Sequence, residues 1–398
     1  MRIIQTNHPK EIKKIMQDIG VDAYGIKIML PKATTRIVKI NSLSNIAANI
    51  LKQEMLSLGG DVAVARGALT GKTKSTDCLV MASVAQYCSL GEKLKKQPFG
   101  LANLSRDLSL AMANYEKEKF SLDAGRYKIS LGNGVTRIMG VVNLTPDSFS
   151  GDGICDLPIA NIIDFVERMI RDGANIIDIG GESSKPGARP VTIKEEVARV
   201  IPVIKAINKR FKVPISTDTY KPEVARRALD SGAVIINDIT GLRNQEMIKL
   251  VSRYRAGIII MHMKGNSPRV MQNKPNYCSL IDEIIGYLGQ AVERAEAAGV
   301  KKDKIIIDPG LGFGKTAEHN LEILRRLKDF KVLGKPLLIG SSRKSFIGKI
   351  LKAEPQERLS GSLSACVLAA QNGAHIVRVH DVKAVKQALA VCTAINKI

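Results

Sequence analysis

Eight short polar clusters, each at the end of an apolar run, carry the residues of this chain that could do chemistry. In order they are Asn143 with Asp147, Asp178-Ile-Gly-Gly-Glu-Ser-Ser-Lys-Pro-Gly187, Ser216-Thr-Asp218-Thr, Asn237-Asp238, Met261-His262, Asp308-Pro-Gly-Leu-Gly-Phe313-Gly-Lys315, Ser341-Ser-Arg343-Lys344-Ser345, and Arg378-Val-His380-Asp381. Asp218 and Asp308 can each accept adjacent N–H donors, while Asn237 and Lys344 can serve ring acceptors. Arg378 offers a planar fork for an anion, His380 a further donor, and Asn143 a hard oxygen acceptor. Taken singly, each cluster has a plainer reading. Asn143-Leu-Thr-Pro-Asp147 is a turn and helix entry, Asp218 or Asp308 is a helix cap, and His380 is a satisfied core histidine ending a strand. His262 is read as structural.

What favours a site is the position the clusters share. Residues 137 to 398 parse into eight apolar, β-branched strand candidates: Arg137 to Leu144, Asn175 to Gly180, Val213 to Asp218, Val234 to Ile239, Gly257 to His262, Lys304 to Pro309, Leu337 to Ser342 and Ile376 to His380. Helical patterns separate them, as in Ile162, Ile163, Val166, Met169 and Ile170, whose apolar positions recur every three to four residues. Eight strand-then-helix repeats predict an α/β fold, a closed (β/α)8 TIM barrel, which gathers the strand-end loops at one rim. Tyr127 to Leu131 and Thr136 to Met139 flank Gly132-Asn-Gly134, a hairpin signal expected to plug the opposite end.

At 398 residues the chain exceeds a single barrel, so a smaller N-terminal α/β domain over 1–121 is expected before the barrel at 122–398. Within it, strands are expected at 25–29, 36–40, 61–65 and 77–82, and helices near 9–19, 44–57, 84–96 and 103–118. Gly71-Lys-Thr-Lys-Ser75 resembles half a phosphate loop but lacks the strand-to-helix frame, and is read as a loop. The role of this domain is not legible.

Composition narrows the class of function. Hydrophobic content of 45% with 25% charged residues suits a globular protein, and the longest apolar runs are too short to span a membrane. No signal-type apolar core opens the chain, so a cytoplasmic location is expected. The six cysteines at 78, 88, 155, 278, 366 and 392 show no zinc spacing and are expected to be reduced. The net charge of +22 is spread along the chain without a basic run or interleaved aromatics, which argues against a nucleic-acid partner and for a Lys-rich surface. Such a surface also helps to collect anionic small substrates.

Met139-Gly-Val-Val-Asn143-Leu-Thr-Pro-Asp147-Ser-Phe-Ser-Gly-Asp-Gly153 closely resembles the first signature of the dihydropteroate synthases, and the other seven clusters resemble that family in order and spacing. The resemblance covers about residues 125 to 398. It implies a transferase that joins 4-aminobenzoate to 6-hydroxymethyl-7,8-dihydropterin diphosphate, releasing diphosphate and forming 7,8-dihydropteroate for folate synthesis. By resemblance, Asp218, Asn237, Asp308 and Lys344 hold the pterin with Met261 on its face. Asn143, Lys185, Arg378 and His380 hold the diphosphate, with Asn143 on Mg2+. Phe149, Ser184, Pro186 and Phe313 wall the 4-aminobenzoate pocket, and Ser345, opening a short helix, receives its carboxylate. Asp147 accepts the amine's hydrogen. Asn143, Asp147, Lys344 and Arg378 are thus the catalytic candidates, the partners are small molecules, and a homodimer is the expected assembly. Folate-dependent corrinoid methyltransferases share the barrel, and a non-catalytic pterin-binding module is a further alternative. The Ser-Arg-Lys-Ser and Arg-Val-His-Asp loops favour the synthase. One departure is the Glu182-Ser-Ser-Lys-Pro-Gly187 loop, where the family usually has Glu-Ser-Thr-Arg-Pro-Gly. Lys185 keeps the charge of the usual Arg but lacks its fork.

Overall fold

The computed structural model describes residues 1–4, 6, 8–132, 134–145, 157–183, 188–265, 271 and 275–395. The chain divides into two compact units, Met1–Ala113 and Asn114–Ile398. The break falls ahead of the strand Lys119–Ala124 and not at 121/122, which lies inside that strand.

The first unit holds an antiparallel three-stranded sheet in the order Thr35–Ser44, Ser75–Ser83, Asp61–Val64. Leu51, Met55, Leu90 and Leu94 of its helices bury one sheet face together with Val62 and Val80. Each fully buried Leu contributes roughly 1.5–3 kcal/mol. The strand expected at 25–29 is instead part of the helix Ala23–Ala33. Asp22 caps that helix, its carboxylate accepting the N–H groups of Tyr24 and Gly25 at 2.9 Å. Gly71, with φ of 71°, ends the short helix Arg66–Thr70, and the segment expected to be a loop leads into the strand at Ser75.

In the second unit, eight parallel strands run in sequence: Arg137–Asn143, Ile176–Gly180, Ile215–Asp218, Ile235–Asp238, Gly257–Met261, Ile305–Asp308, Leu338–Ile339 and Ile376–Val379. Each pairs with the next and the eighth returns to the first, Ile376 opposite Arg137. One bridge, Ile307 to Leu337, holds the seam between the sixth and seventh. The expected TIM barrel is therefore present, with each strand one to four residues shorter than its apolar run. Side chains alternate along a strand, so one set faces the barrel axis and the other the helices. Ile177, Ile179, Ile236, Ile258 and Ile305 point outward onto buried helical residues such as Val200, Ile204, Ile284 and Leu288.

Facing inward at the strand starts, Met139, Ile176, Ile235, Ile259, Ile306, Leu338 and Ile376 make an apolar layer. A hairpin plugs this layer with Leu122, Ala124, Ile129 and Leu131. Its strands are Lys119–Ala124 and Tyr127–Gly132, turning at Gly125-Arg126, and not the pair around Gly132-Asn-Gly134. Residues from Arg137 belong to the first barrel strand, and among the described residues only a single bridge, Gly132 to Val135, forms at the expected turn. Lys304 fastens the plug, donating to the Asp123 carbonyl at 3.0 Å.

Candidate active site

Two residues beyond the apolar layer, the inward side chains change character. Asp178, Asn237, Met261, Asp308 and Arg378 follow Ile176, Ile235, Ile259, Ile306 and Ile376 by one strand period. Asp218 and Asn143 join them through the register, since Gly180 pairs with both Asn143 and Asp218, and Asp218 pairs with Asn237. The period-2 rule thus converts a closed apolar floor into a ring of polar groups. All but Asp178 open on a cavity of about 550 Å3 whose wall includes Asn143, Asp218, Asn237, Met261, Asp308, Phe313, Lys344, Ser345, Arg378 and His380. Every candidate site residue inferred from sequence within the described region lines this one cavity. Asp147, Phe149, Ser184, Lys185 and Pro186 lie outside the described residues.

Arg378 is the hub. Its Nε donates to Asp178 Oδ2 at 2.6 Å and an Nη to Asp218 Oδ2 at 2.9 Å, while Asn237 Nδ2 donates to Asp178 Oδ2 at 3.2 Å. Burial raises the Asp218 carboxyl to about 7, against the opposing pull of Arg378. Asp308 is likewise pushed up by burial, to about 6, although Gly310 N–H donates to its Oδ1 at 2.7 Å. Burial and the neighbouring Arg378 lower the Lys344 ammonium to about 8. Lys344 donates to the Leu311 carbonyl at 2.9 Å and sits 4.5 Å from the Phe313 ring centre, a cation–π contact. Burial, then Arg378, lowers His380 to about 3, so its ring is neutral near pH 7 and acts by a single N–H. Its Nδ1 lies 3.0 Å from Ser342 Oγ.

The loop after the sixth strand brings Phe313 to the wall, and glycine makes that path available. Gly310 has φ of 71°, and a Cβ there would stand 2.0 Å from the His262 carbonyl oxygen. Lys315, which ends the sixth polar cluster but carries no role on sequence grounds, fastens the loop. Its buried Nζ lies 2.9 Å from His262 Nδ1 and 3.1 Å from the Phe313 carbonyl. Burial holds Lys315 well below the usual lysine range and His262 down to about 2. His262 thus meets Lys315 and is not among the residues that line the cavity. Asp178 likewise carries no role on sequence grounds; the signal for one is its place one strand period after Ile176. Ser345 opens the helix Ser345–Leu351, whose N-cap residue Lys344 makes no side-chain cap bond.

Several buried polar atoms here have no partner among the described residues: Asp178 Oδ1, Ser216 Oγ and Asn237 Oδ1. Such groups cost about 1–3 kcal/mol each when left unpaired, which marks a surface prepared for a polar ligand or ordered water. Among the described residues no group of three or more His, Cys, Asp or Glu could hold a metal ion. The Asn143 carboxamide oxygen is among the side-chain oxygens of the cavity wall. That suits Mg2+, which keeps waters and takes much of its coordination from a substrate's phosphates.

The sequence profile of the family described as pterin binding enzyme matches residues 139–380. The chain is 47% identical over 257 residues to a dihydropteroate synthase of Escherichia coli strain K12, covering 65% of this chain and 90% of that one. It is 39% identical over 360 residues to a probable bifunctional folylpolyglutamate synthase/dihydropteroate synthase of Halobacterium salinarum, covering 90% of this chain and 42% of that protein. Among solved structures, the Yersinia pestis dihydropteroate synthase in a sulfonamide drug complex superposes with a TM-score of 0.67 at 39% identity, covering 70% of this chain and all of that one.

Proposed function

This chain belongs to the pterin-binding enzyme family, as one of its dihydropteroate synthases, and from that membership we propose how its barrel mouth carries out the condensation. The reaction joins 6-hydroxymethyl-7,8-dihydropterin diphosphate to 4-aminobenzoate, giving 7,8-dihydropteroate and diphosphate. The observation that carries the residue assignment is the single cavity in which two carboxylates, an amide, an ammonium and a guanidinium converge above an apolar floor.

Asp218 and Asp308 accept the paired N–H donors of the pterin, Asn237 and Lys344 complete its polar edge, and Met261 packs on its face. At the outer side Arg378, the neutral His380 N–H and Lys185 receive the diphosphate, whose bridging oxygen gathers charge as the C–O bond breaks. Mg2+, held by the diphosphate and the Asn143 oxygen, would supply further positive charge there. The aromatic amine of 4-aminobenzoate is already neutral at pH 7 and needs no strong base to attack. Phe313, with Phe149, Ser184 and Pro186, walls its ring; Ser345 and the first N–H groups of its helix receive the carboxylate; Asp147 takes the amine's hydrogen. Because the ring and its anionic end define this pocket, a sulfonamide is proposed as a competitor for it. A homodimer is the proposed assembly, supported by Leu368, Val391 and Ile395, which are exposed on the last two helices.

The test is diphosphate release by the full chain with both substrates and Mg2+. Release that depends on 4-aminobenzoate, with 7,8-dihydropteroate formed in equal amount, is expected. Transfer of a methyl group, or pterin binding with no turnover, would favour the alternatives. A salt-sensitive shift of DNA would point to the basic surface instead.

A further inference from the structure

Asp178 stands in the polar layer of the barrel, is fully buried, and is not among the residues that line the cavity. It nevertheless holds two residues that are. Its Oδ2 accepts from Arg378 Nε at 2.6 Å and from Asn237 Nδ2 at 3.2 Å. Arg378 is therefore held at two points that differ in access. The inner point is Asp178, whose side chain is 0% exposed, and the outer is Asp218, whose side chain is 19% exposed and reaches the cavity.

A ligand that brings paired N–H donors to Asp218 competes with the Arg378 Nη bond at Oδ2. It cannot reach the Asp178–Nε bond. Resting on the reading above, we propose that Asp178 is a positioning residue for the condensation. It keeps Arg378 anchored through Nε when the pterin takes Asp218, so that the released Nη donors turn toward the diphosphate. The same oxygen fixes the Asn237 amide with Nδ2 inward, leaving Oδ1 as an acceptor for the ligand. Without the Asp178 charge, Asp218 would be the nearest carboxylate to the guanidinium, and Arg378 would oppose the pterin at the group that binds it. A purely structural role would predict otherwise, since a weakened buried network disturbs both substrates alike.

The full-length enzyme is compared with Asp178→Asn, Arg378→Lys and the double variant. Asp178→Asn, nearly isosteric, should raise KM for the pterin diphosphate about ten- to a hundredfold while KM for 4-aminobenzoate stays within about twofold. The cycle should be non-additive, with Asp178→Asn costing much less in the Arg378→Lys background. Equal rises in both KM values, or additive losses, would overturn the assignment. A measurement on the unmodified chain guards against a variant that does not fold. With 15N-labelled arginine, the Nε–H signal absent from Arg378→Lys should stay protected when the pterin diphosphate binds while the Nη signals move, and loss of Nε–H protection overturns the proposal. Failure of the unmodified enzyme to consume both substrates would sink the reading and this inference together, whereas turnover with additive losses removes Asp178 alone.

Discussion

At the scale of single residues, the cavity places three groups with opposing demands near neutrality. Asp218 and Asp308 must be ionised to accept N–H donors, yet burial raises them to about 7 and about 6. Lys344 must be protonated to donate, yet burial and Arg378 lower it to about 8. Pterin affinity should therefore fall as the pH drops below about 7, where Asp218 takes a proton, and fall again as it rises past about 8. Calorimetric titration with the pterin across this range is expected to show a maximum between those flanks, and a flat profile would remove these groups from the binding equilibrium. For folding alone the sign is reversed for the two acids. Between their ordinary values and these raised ones the folded chain holds protons that the unfolded chain has lost, so their contribution favours folding less as pH rises through that window. Lys344→Ala and Asp308→Asn should each weaken pterin binding by about 1–3 kcal/mol, because each leaves buried polar groups without their charged partner. Unchanged affinity in both would exclude them from the pocket.

At the scale of elements, the barrel divides its work between layers. The floor of Met139, Ile176 and their neighbours, closed by Leu122 and Leu131 of the hairpin, does the packing, while the layer above does the chemistry. Leu131→Ala removes a nearly fully buried side chain and should cost about 2–5 kcal/mol of stability, read as a lower melting temperature with both KM values unchanged. A KM change of similar size to the site variants would show that the floor and the site are mechanically coupled. The strands were legible because apolar, β-branched runs recur eight times with helical patterns between them. The plug's partner strand was not, because Gly132-Asn-Gly134 is the stronger hairpin signal in isolation, whereas the turn used is Gly125-Arg126, with Gly125 at φ of 60°. Residues 25–29 suggest a strand because Ile26 and Ile28 flank Lys27; the Asp22 cap of the helix Ala23–Ala33 is the better signal. Asp178 is visible in the second polar cluster but its role is not, because it sits inside a strand where its direction, not its neighbours, gives it that role.

At the scale of the whole molecule, every assigned group belongs to the unit Asn114–Ile398, and the match to the Escherichia coli synthase spans 90% of that relative while covering only 65% of this chain. The match to the Halobacterium salinarum protein covers 90% of this chain, and so extends into residues 1–113. Similarity to at least part of the first unit is therefore present in the Halobacterium salinarum protein, whereas 65% of this chain accounts for 90% of the Escherichia coli synthase. A chain beginning at Asn114 should fold and keep kcat and both KM values within a few-fold of the full protein. The starting point matters for a physical reason. Lys119, Phe120 and Ser121 pair with Gly132, Leu131 and Ser130, so a chain beginning at residue 122 loses half of the plug's first strand and leaves Ser130 to Gly132 without those partners. Unpaired ladder groups against a buried apolar layer are costly, so the shorter chain should melt at lower temperature and expose apolar surface to a hydrophobic dye. Equal stability of the two truncated chains would show that the plug is held by its side chains alone. An inactive chain from Asn114, beside an active full-length protein, would give the first unit a part in the chemistry after all.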